Sequence, residues 1–551
     1  MNLSMYLAAS IFETKSEFIM FTIIAIVSTV LMIFVGYRLL QMLQLTGYKF
    51  KSYLKWFKET KCSYVSRLFM LAFLSFLSMI LTNVLLEDFF VGKMQIFSYI
   101  SILGYLLFSS LFIVNMFNSK QKTPLKYTKR MIRLVVVYTI IVGFATFGIE
   151  YLGFRFFPFI SFGLISVVPL ILPLAVFLAY FITYPLERLI SKSYIKRAKK
   201  KLEEKKNLKV IGITGSYGKT SVKNILSTIL SVKFKICPTP ASYNTPLGLA
   251  KTILSNLSDE DEIFIAEMGA KQVGDITELC EMVSPDIGVI TGIGNQHYLT
   301  FGSVENIVKT KSELAEFVTN KKGKLFVNTD GSLAKEISEK FKDSVAVSLE
   351  KNMFNVSKIE TSKNGSSFEI SFNGEKKKCK TILLGKHNIS NIILSATVAL
   401  ELGLSLDEII QGIEKLHSVS HRLEIIKSTS SYTIIDNSYN SSVQGSEASI
   451  EVLSKFEGRK FVITPGLVEL GKEQFNSNFE FGRTMAKVCD YVIIDSTINY
   501  EAINAGLVSE GFDKEHILRA GNLSQAVMVL NTLVQPEDVV LFENDLPDNY
   551  S

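Results

Sequence analysis

A chain of 551 residues is too long for one ordinary domain, and a 48% hydrophobic content that includes 40 phenylalanines leans towards a membrane protein. The net charge of +7 does not signal nucleic-acid binding, because much of it lies in short loops between apolar runs and no nucleic-acid motif accompanies it. The five cysteines (Cys62, Cys237, Cys280, Cys379 and Cys489) are odd in number and nowhere at metal-ligand spacing, which argues against a disulfide framework or zinc site and fits a reduced compartment.

Apolar residues crowd into the first 185 positions. Phe18 to Tyr37 carries no charge and is long enough to cross a bilayer, which needs about 20 apolar residues. Its length and its acidic flank, Glu13 and Glu17, mark it as an anchor rather than a cleaved signal peptide. Leu68 to Leu86 and Met94 to Phe117 qualify likewise. Leu134 to Gly148 is shorter and stops before Glu150 and Arg155, while Phe156 to Pro185 contains Pro169 and Pro173, where a kink is tolerated. Basic residues follow the first run (Arg38 to Arg67), the third (Lys120 to Arg133) and the last (Arg188 to Lys201). The opposite segments hold only Lys15, Lys93 and Arg155. The positive-inside rule then requires five spans with the N-terminus outside, and it puts the C-terminal half in the cytosol, where ATP is. Residues 1–190 thus read as a five-helix membrane unit of a bacterial-type cytoplasmic membrane, whose basic segments also suit membrane lipid headgroups.

Residues 191–206 read as a basic, helical linker. Leu208 to Ile213 is a short buried strand running into Thr214-Gly215-Ser216-Tyr217-Gly218-Lys219-Thr220-Ser221, after which a helical pattern begins. Strand, glycine turn, Gly-Lys-Thr and helix together make a phosphate-binding loop: glycines admit backbone N–H groups to the phosphates, the helix N-terminus favours negative charge, Lys219 reaches the terminal phosphates and Thr220 suits Mg²⁺. The strict pattern wants glycine where Ile213 stands, and here Gly212 lies one place earlier. Glu262 to Glu267 is an apolar strand ending in a carboxylate at the sheet edge where ligands bind. Asp286 to Thr291 is another strand, followed by a glycine-rich turn carrying His297.

GITGSYGKTS, Asn244-Thr245-Pro246-Leu247-Gly248, Glu267-Met268-Gly269, ITGIGNQHYLTFGSVENIVKTKSEL, GKHNISN, His421-Arg422-Leu423 and IIDNSYNSS, in that order, resemble the Mur ligases of peptidoglycan synthesis, nearest to the branch that adds D-alanyl-D-alanine. The resemblance implies an α/β architecture, with a central P-loop ATPase domain at 207–420 and a Rossmann-like C-terminal domain at 421–551. It implies ATP held by Gly215, Ser216, Tyr217, Gly218, Lys219, Thr220, Ser221, Asn388 (at the adenine), Arg422 and Asp436. Thr220 and Glu267 would bind one Mg²⁺, and His297 and Lys311 a second, with Lys311 carbamylated; Lys309 is close enough to compete for that alignment. Asn244, Thr245, Tyr439 and Asn440 fall where the substrate binds. The implied chemistry is attack of a substrate carboxylate on the γ-phosphate, then displacement of phosphate from the acyl phosphate by an amine.

Three features depart from that family. The small domain that grips UDP is replaced by the membrane unit, so the muramyl-peptide acceptor is either UDP-linked or lipid-linked. Asp436-Asn437 stands for two aspartates, and Val443 for a proline. Leu541 to Asp548 is acidic where relatives are basic and contain serine, although Thr464 to Gly471 keeps the family's form. The competing readings are a membrane poly-γ-glutamate-type ligase, a membrane P-loop ATPase or kinase, and a silent scaffold, the last disfavoured by retention of Lys219, Thr220, Glu267 and His297.

Overall fold

The computed structural model describes residues 15–59, 63–86, 94–118, 123–156, 161–294, 301–350, 353–426, 431–439 and 442–545. His297, Asn440 and the acidic end beyond Asp545 lie outside the described residues, as do Lys61, Cys62, Lys93, Lys120 and Lys122. The chain forms two compact units, Met1–Ile190 and Ser191–Pro547.

The first unit is helical. Among the described residues, four stretches are long and apolar enough to cross a membrane: Phe21–Leu45, Tyr64–Leu81, Lys129–Gly153 and Leu164–Glu203. The remaining apolar run is also a helix, Met94–Asn118. Two boundaries differ from those expected. The first apolar stretch continues past Tyr37 to Leu45, broken only at Gly36. A Cβ on Gly36 would lie 2.0 Å from the Tyr138 hydroxyl, which donates to Met32 O, so the missing side chain lets two helices touch. The short run at 134–148 belongs to a 28-residue helix, Lys129–Phe156. Glu150 does not end it, because that side chain turns into the bundle and is buried.

The loop expected between the first two spans contains an amphipathic helix, Phe50–Glu59. Its Tyr53 and Trp56 are buried while Lys51, Lys55 and Lys58 are exposed. Tyr53 packs edge-on against Phe177. Arg133 grips Glu187 with two parallel bonds, Nε to Oε1 at 2.6 Å and Nη2 to Oε2 at 2.9 Å. Glu187 is buried, so Arg133→Ala removes both bonds and leaves the carboxylate to the longer approach of Arg130 Nε, at 3.9 Å. The expected cost is about 1–3 kcal/mol, reduced from that of a fully buried pair because Arg133 is partly exposed. Thermal unfolding in detergent checks this; an unchanged melting temperature contradicts it.

The last apolar run and the basic segment after it are one helix, Val168–Glu203, which contains Pro173 and Pro185. Its final turns, from Ser191, belong to the second unit: Ala198 is buried in that unit's core and Lys201 donates to the carbonyls of Ile253 and Leu257. The segment expected as a linker is therefore docked, because its lysine satisfies carbonyls left open at the end of helix Pro246–Ser255.

The second unit contains two sheets of the doubly wound kind. The first comprises β1 (Lys209–Thr214), β2 (Ile236–Pro238), β3 (Ile263–Glu267), β4 (Ile287–Ile290), β5 (Lys324–Asn328) and β6 (Val345–Val347), all parallel, in the order β2-β3-β1-β4-β5-β6. Near-continuous apolar runs such as VIGI and IFIA suit strands buried on both faces. β1 is interior, with Ile213 opposite Glu267 and Thr214 opposite Ile290. The ends of three strands thus meet at one carboxyl edge. A Lys-rich antiparallel sheet follows, β7 (Asn355–Ser362), β8 (Gly365–Phe372) and β9 (Glu375–Thr381), which no motif announced. The second large sheet comprises β10 (Glu424–Ile426), β11 (Thr433–Asn437), β12 (Lys460–Thr464), β13 (Tyr491–Ile494), β14 (Ile517–Arg519) and β15 (Val539–Glu543), in the order β10-β11-β15-β12-β13-β14. Only β10 runs antiparallel.

Candidate functional site

The loop between β1 and helix Lys219–Leu230 is shaped by two glycines with positive φ, Gly215 (155°) and Gly218 (80°). A Cβ on Gly215 would lie 2.0 Å from Thr291 Oγ1, so no side chain fits. The loop is tied to the end of β4: Ser216 N donates to Gly292 O at 2.8 Å, and Thr291 Oγ1 donates to Tyr217 O at 2.5 Å. Lys219 folds into the loop, its Nζ donating to the carbonyls of Gly215 (2.7 Å) and Ser216 (2.8 Å). Burial pushes the Lys219 ammonium down to about 8.

Glu267 closes β3 and is 1% exposed. Its Oε1 accepts from Thr220 Oγ1 and from Asn244 Nδ2, each at 3.2 Å. Its Oε2 accepts no aligned hydrogen bond and faces Lys223 Nζ at 3.0 Å. A hydroxyl and a carboxylate oxygen converging beside the phosphate loop form a hard-oxygen pair that fits Mg²⁺, which takes few protein ligands and completes its shell from phosphate and water. On helix Val304–Asn320, Lys311 is buried at 3% exposure while Lys309 is exposed, so of the two it is Lys311 that faces inward. Burial, with the charge of Lys219, pushes Lys311 down to about 7. Nearby Glu313 is committed elsewhere, accepting from the N–H groups of Gly274 and Thr277 at the start of helix Asp275–Val283.

A cavity of about 550 Å³ gathers Ser216 through Ser221, Asn244, Glu267, Asn388, Arg422 and Tyr439. The two ligase-like halves meet across it where Ser242 Oγ lies 3.1 Å from Tyr439 Oη, and within the second half Arg422 lies 4.6 Å over the Tyr439 ring. Four of the described residues singled out from the motifs do not line it, the first being Gly215, whose carbonyl accepts from Lys219. Thr245 caps helix Pro246–Ser255, accepting from Gly248 N. Asp436 holds His421 Nδ1 at 2.7 Å and accepts from Ser438 N. Lys311 is buried, with its Nζ 5.8 Å over the Phe301 ring.

Several lining residues went unnoticed in the sequence. Asn328 ends β5 and Asp330 follows it at the same carboxyl edge; Asn328 Nδ2 donates to Ser390 Oγ at 2.7 Å, and Ser390 donates to Asp330. The pattern of an apolar strand ending in Asn-Thr-Asp was the available signal. Asn437 is also explained: its Nδ2 donates to Glu543 Oε2 at 2.9 Å, and its Oδ1 accepts from Leu423 N at 3.1 Å. Glu543 is fully buried and also accepts from Ser449 Oγ at 2.6 Å. An acid at 543 calls for an amide at 437, so the two departures from the family pattern offset each other.

Comparison with known proteins gives two family matches, the Mur ligase middle domain over residues 213–399 and the Mur ligase, glutamate ligase domain over residues 421–543. The chain is 27% identical over 345 residues to the UDP-N-acetylmuramoyl-tripeptide--D-alanyl-D-alanine ligase of Bacillus subtilis (strain 168), covering 61% of this chain and 72% of that one. To the enzyme of that name from Buchnera aphidicola subsp. Baizongia pistaciae it is 31% identical, covering 56% and 65%. Among solved structures, MurF from Acinetobacter baumannii superposes with a TM-score of 0.58 at 25% identity, covering 64% of this chain and 77% of that one. MurF ligase from Thermotoga maritima in complex with ADP also gives 0.58, at 27% identity, covering 64% and 80%.

Proposed function

Since the chain belongs to the Mur ligase family of ATP-dependent amide-bond-forming enzymes, we propose that it adds D-Ala-D-Ala, or another amino acid or dipeptide, to a muramyl-peptide acceptor at the inner face of a cytoplasmic membrane. The observation that carries this reading is the convergence of Thr220 and Glu267 beside the phosphate loop, in one cavity with Asn388 and Arg422.

The loop N–H groups and Lys219 hold the triphosphate, with the Lys219 ammonium leaving the carbonyls of Gly215 and Ser216 for the γ-phosphoryl oxygens. Asn388 meets the adenine. Arg422 and Asp436 act from the C-terminal half, Arg422 on the phosphates and Asp436 by fixing His421 beside it. Thr220 and Glu267 would hold one Mg²⁺, and Lys311, carbamylated, would join His297 in holding a second. Ions held by these residues would supply positive charge to neutralise the phosphoryl group in transfer. The acceptor carboxylate attacks the γ-phosphorus and ADP departs. The incoming amine then attacks the acyl phosphate, loses a proton, and inorganic phosphate leaves as the amide forms. Tyr439 and Arg422, closing on Ser242 and the loop, keep water from the acyl phosphate. Asn244 and Tyr439 line the acceptor side, with Thr245 and Asn440 adjoining them.

The ligase core occupies 207–420 and 421–551, and residues 1–190 anchor it through five spans with the N-terminus outside and the catalytic unit in the cytosol. The four apolar stretches, the fifth helix and the basic segments between them support that topology. An acceptor presented at the membrane is lipid-linked or UDP-linked, and one experiment separates the two. Detergent-purified protein receives ATP, Mg²⁺, D-Ala-D-Ala, single amino acids and both forms of muramyl tripeptide, and products are read by mass spectrometry. A gain of one dipeptide, absent in Lys219→Ala, on either carrier supports the reading and identifies the carrier. No gain on either, with ATP consumed when glutamate is present, replaces it with a polyglutamate-type ligase.

A further inference from the structure

Lys223 follows Lys219 by one helical turn, so the two ammonium groups share a helix face. It is 1% exposed, and no step above uses it. Its Nζ lies 3.0 Å from Glu267 Oε2 and donates to the carbonyl of Ala241. Ala241 has φ of 43°, left-handed for a residue with a side chain, and the turn it opens delivers Asn244 to the other oxygen of Glu267. Lys223 therefore holds the carboxylate directly on one side and through the turn on the other.

The charge balance around Glu267 is lopsided. Lys219 and Arg422 both lie within its electrostatic reach, and Lys311 lies within that of Lys219. A bare divalent cation arriving there meets one carboxylate already neutralised by an ammonium group. A triphosphate brings the negative charge that makes the same place favourable.

We propose that Lys223 is a positioning residue for the magnesium site: it neutralises Glu267 and keeps Oε1 turned to Thr220, so that the metal binds with the nucleotide rather than ahead of it. This rests on the reading of Thr220 and Glu267 as magnesium ligands.

The test uses the full-length protein in detergent, with Mn²⁺ as a spectroscopically visible substitute for Mg²⁺, titrated with and without ADP. The wild-type protein binds Mn²⁺ weakly alone and tightly with ADP. In Lys223→Met, affinity for Mn²⁺ without ADP rises by about 10- to 100-fold, the scale on which one adjacent charge acts on another, and the enhancement by ADP shrinks to match. A change that merely loosened packing would weaken binding instead. Unchanged or weaker Mn²⁺ affinity in folded Lys223→Met overturns the proposal. Because that variant leaves Glu267 unpaired in the core, the double variant Lys223→Met/Glu267→Gln is melted beside it; recovery of the lost melting temperature supports the pairing, and no recovery overturns it. Wild-type enhancement by ADP in Glu267→Gln alone overturns the metal-site reading itself, a result distinct from failure of the Lys223 step.

Discussion

Replacing Lys219 with alanine lowers amide-bond formation by roughly 10²–10³-fold, the loss seen when one preorganised donor to a developing charge is removed. The effect falls on chemistry and nucleotide affinity rather than on folding. The loop keeps its shape without the lysine, since Ser216 N is held by Gly292 O and Tyr217 O by Thr291. The melting temperature without nucleotide therefore stays close to that of the unmodified protein. Removing an ammonium group that burial holds down to about 8 relieves a desolvation cost of its own. Product formation within a few-fold of the unmodified rate, measured by mass spectrometry under saturating ATP, contradicts the role given to Lys219.

Asn437→Asp is the substitution expected to damage folding most while changing least in shape. It exchanges an amide that donates to Glu543 for a carboxylate that cannot. Glu543 is fully buried and position 437 half-buried at the cavity wall, so two like charges face each other with partial access to water, and the expected destabilisation is about 2–4 kcal/mol. The bond from Leu423 N to position 437 survives, because either side chain offers an oxygen. Glu543→Gln placed on top restores a donor–acceptor pair and recovers most of the loss. Thermal unfolding of the single and double variants checks this, and additive losses in the double variant would show that the two residues do not act as a pair.

This pairing also shows where sequence reading ends. Asn437 and the acidic segment at 541–548 stood as two separate departures from the Mur ligase pattern, more than a hundred positions apart. Parallel pairing of β11 with β15 puts Asn437 opposite Glu543 and makes them one feature. The same holds at Glu267. Its place at the end of an apolar strand was legible, but nothing singled out Lys223, because nothing local tells a lysine on a surface from one aimed at a carboxylate 44 positions later.

What the chain determines locally, the sequence alone determined. Uncharged runs of bilayer length specify helices, since a backbone in lipid must satisfy its own hydrogen bonds. Glycines at 215 and 218 specify the phosphate loop, since other residues resist positive φ. Apolar strands ending in polar residues specify a sheet edge carrying chemistry. The ordered set of motifs was enough to indicate the family. Only the tertiary structure decided that the helix around Glu150 runs on to Phe156, that the basic segment after the last apolar run packs through Lys201, that Thr245 caps a helix, and that Lys311 rather than Lys309 turns inward. Each of these depends on what stands opposite a side chain in space. Burial and pairing are set by neighbours distant in the chain, which propensity and spacing do not encode.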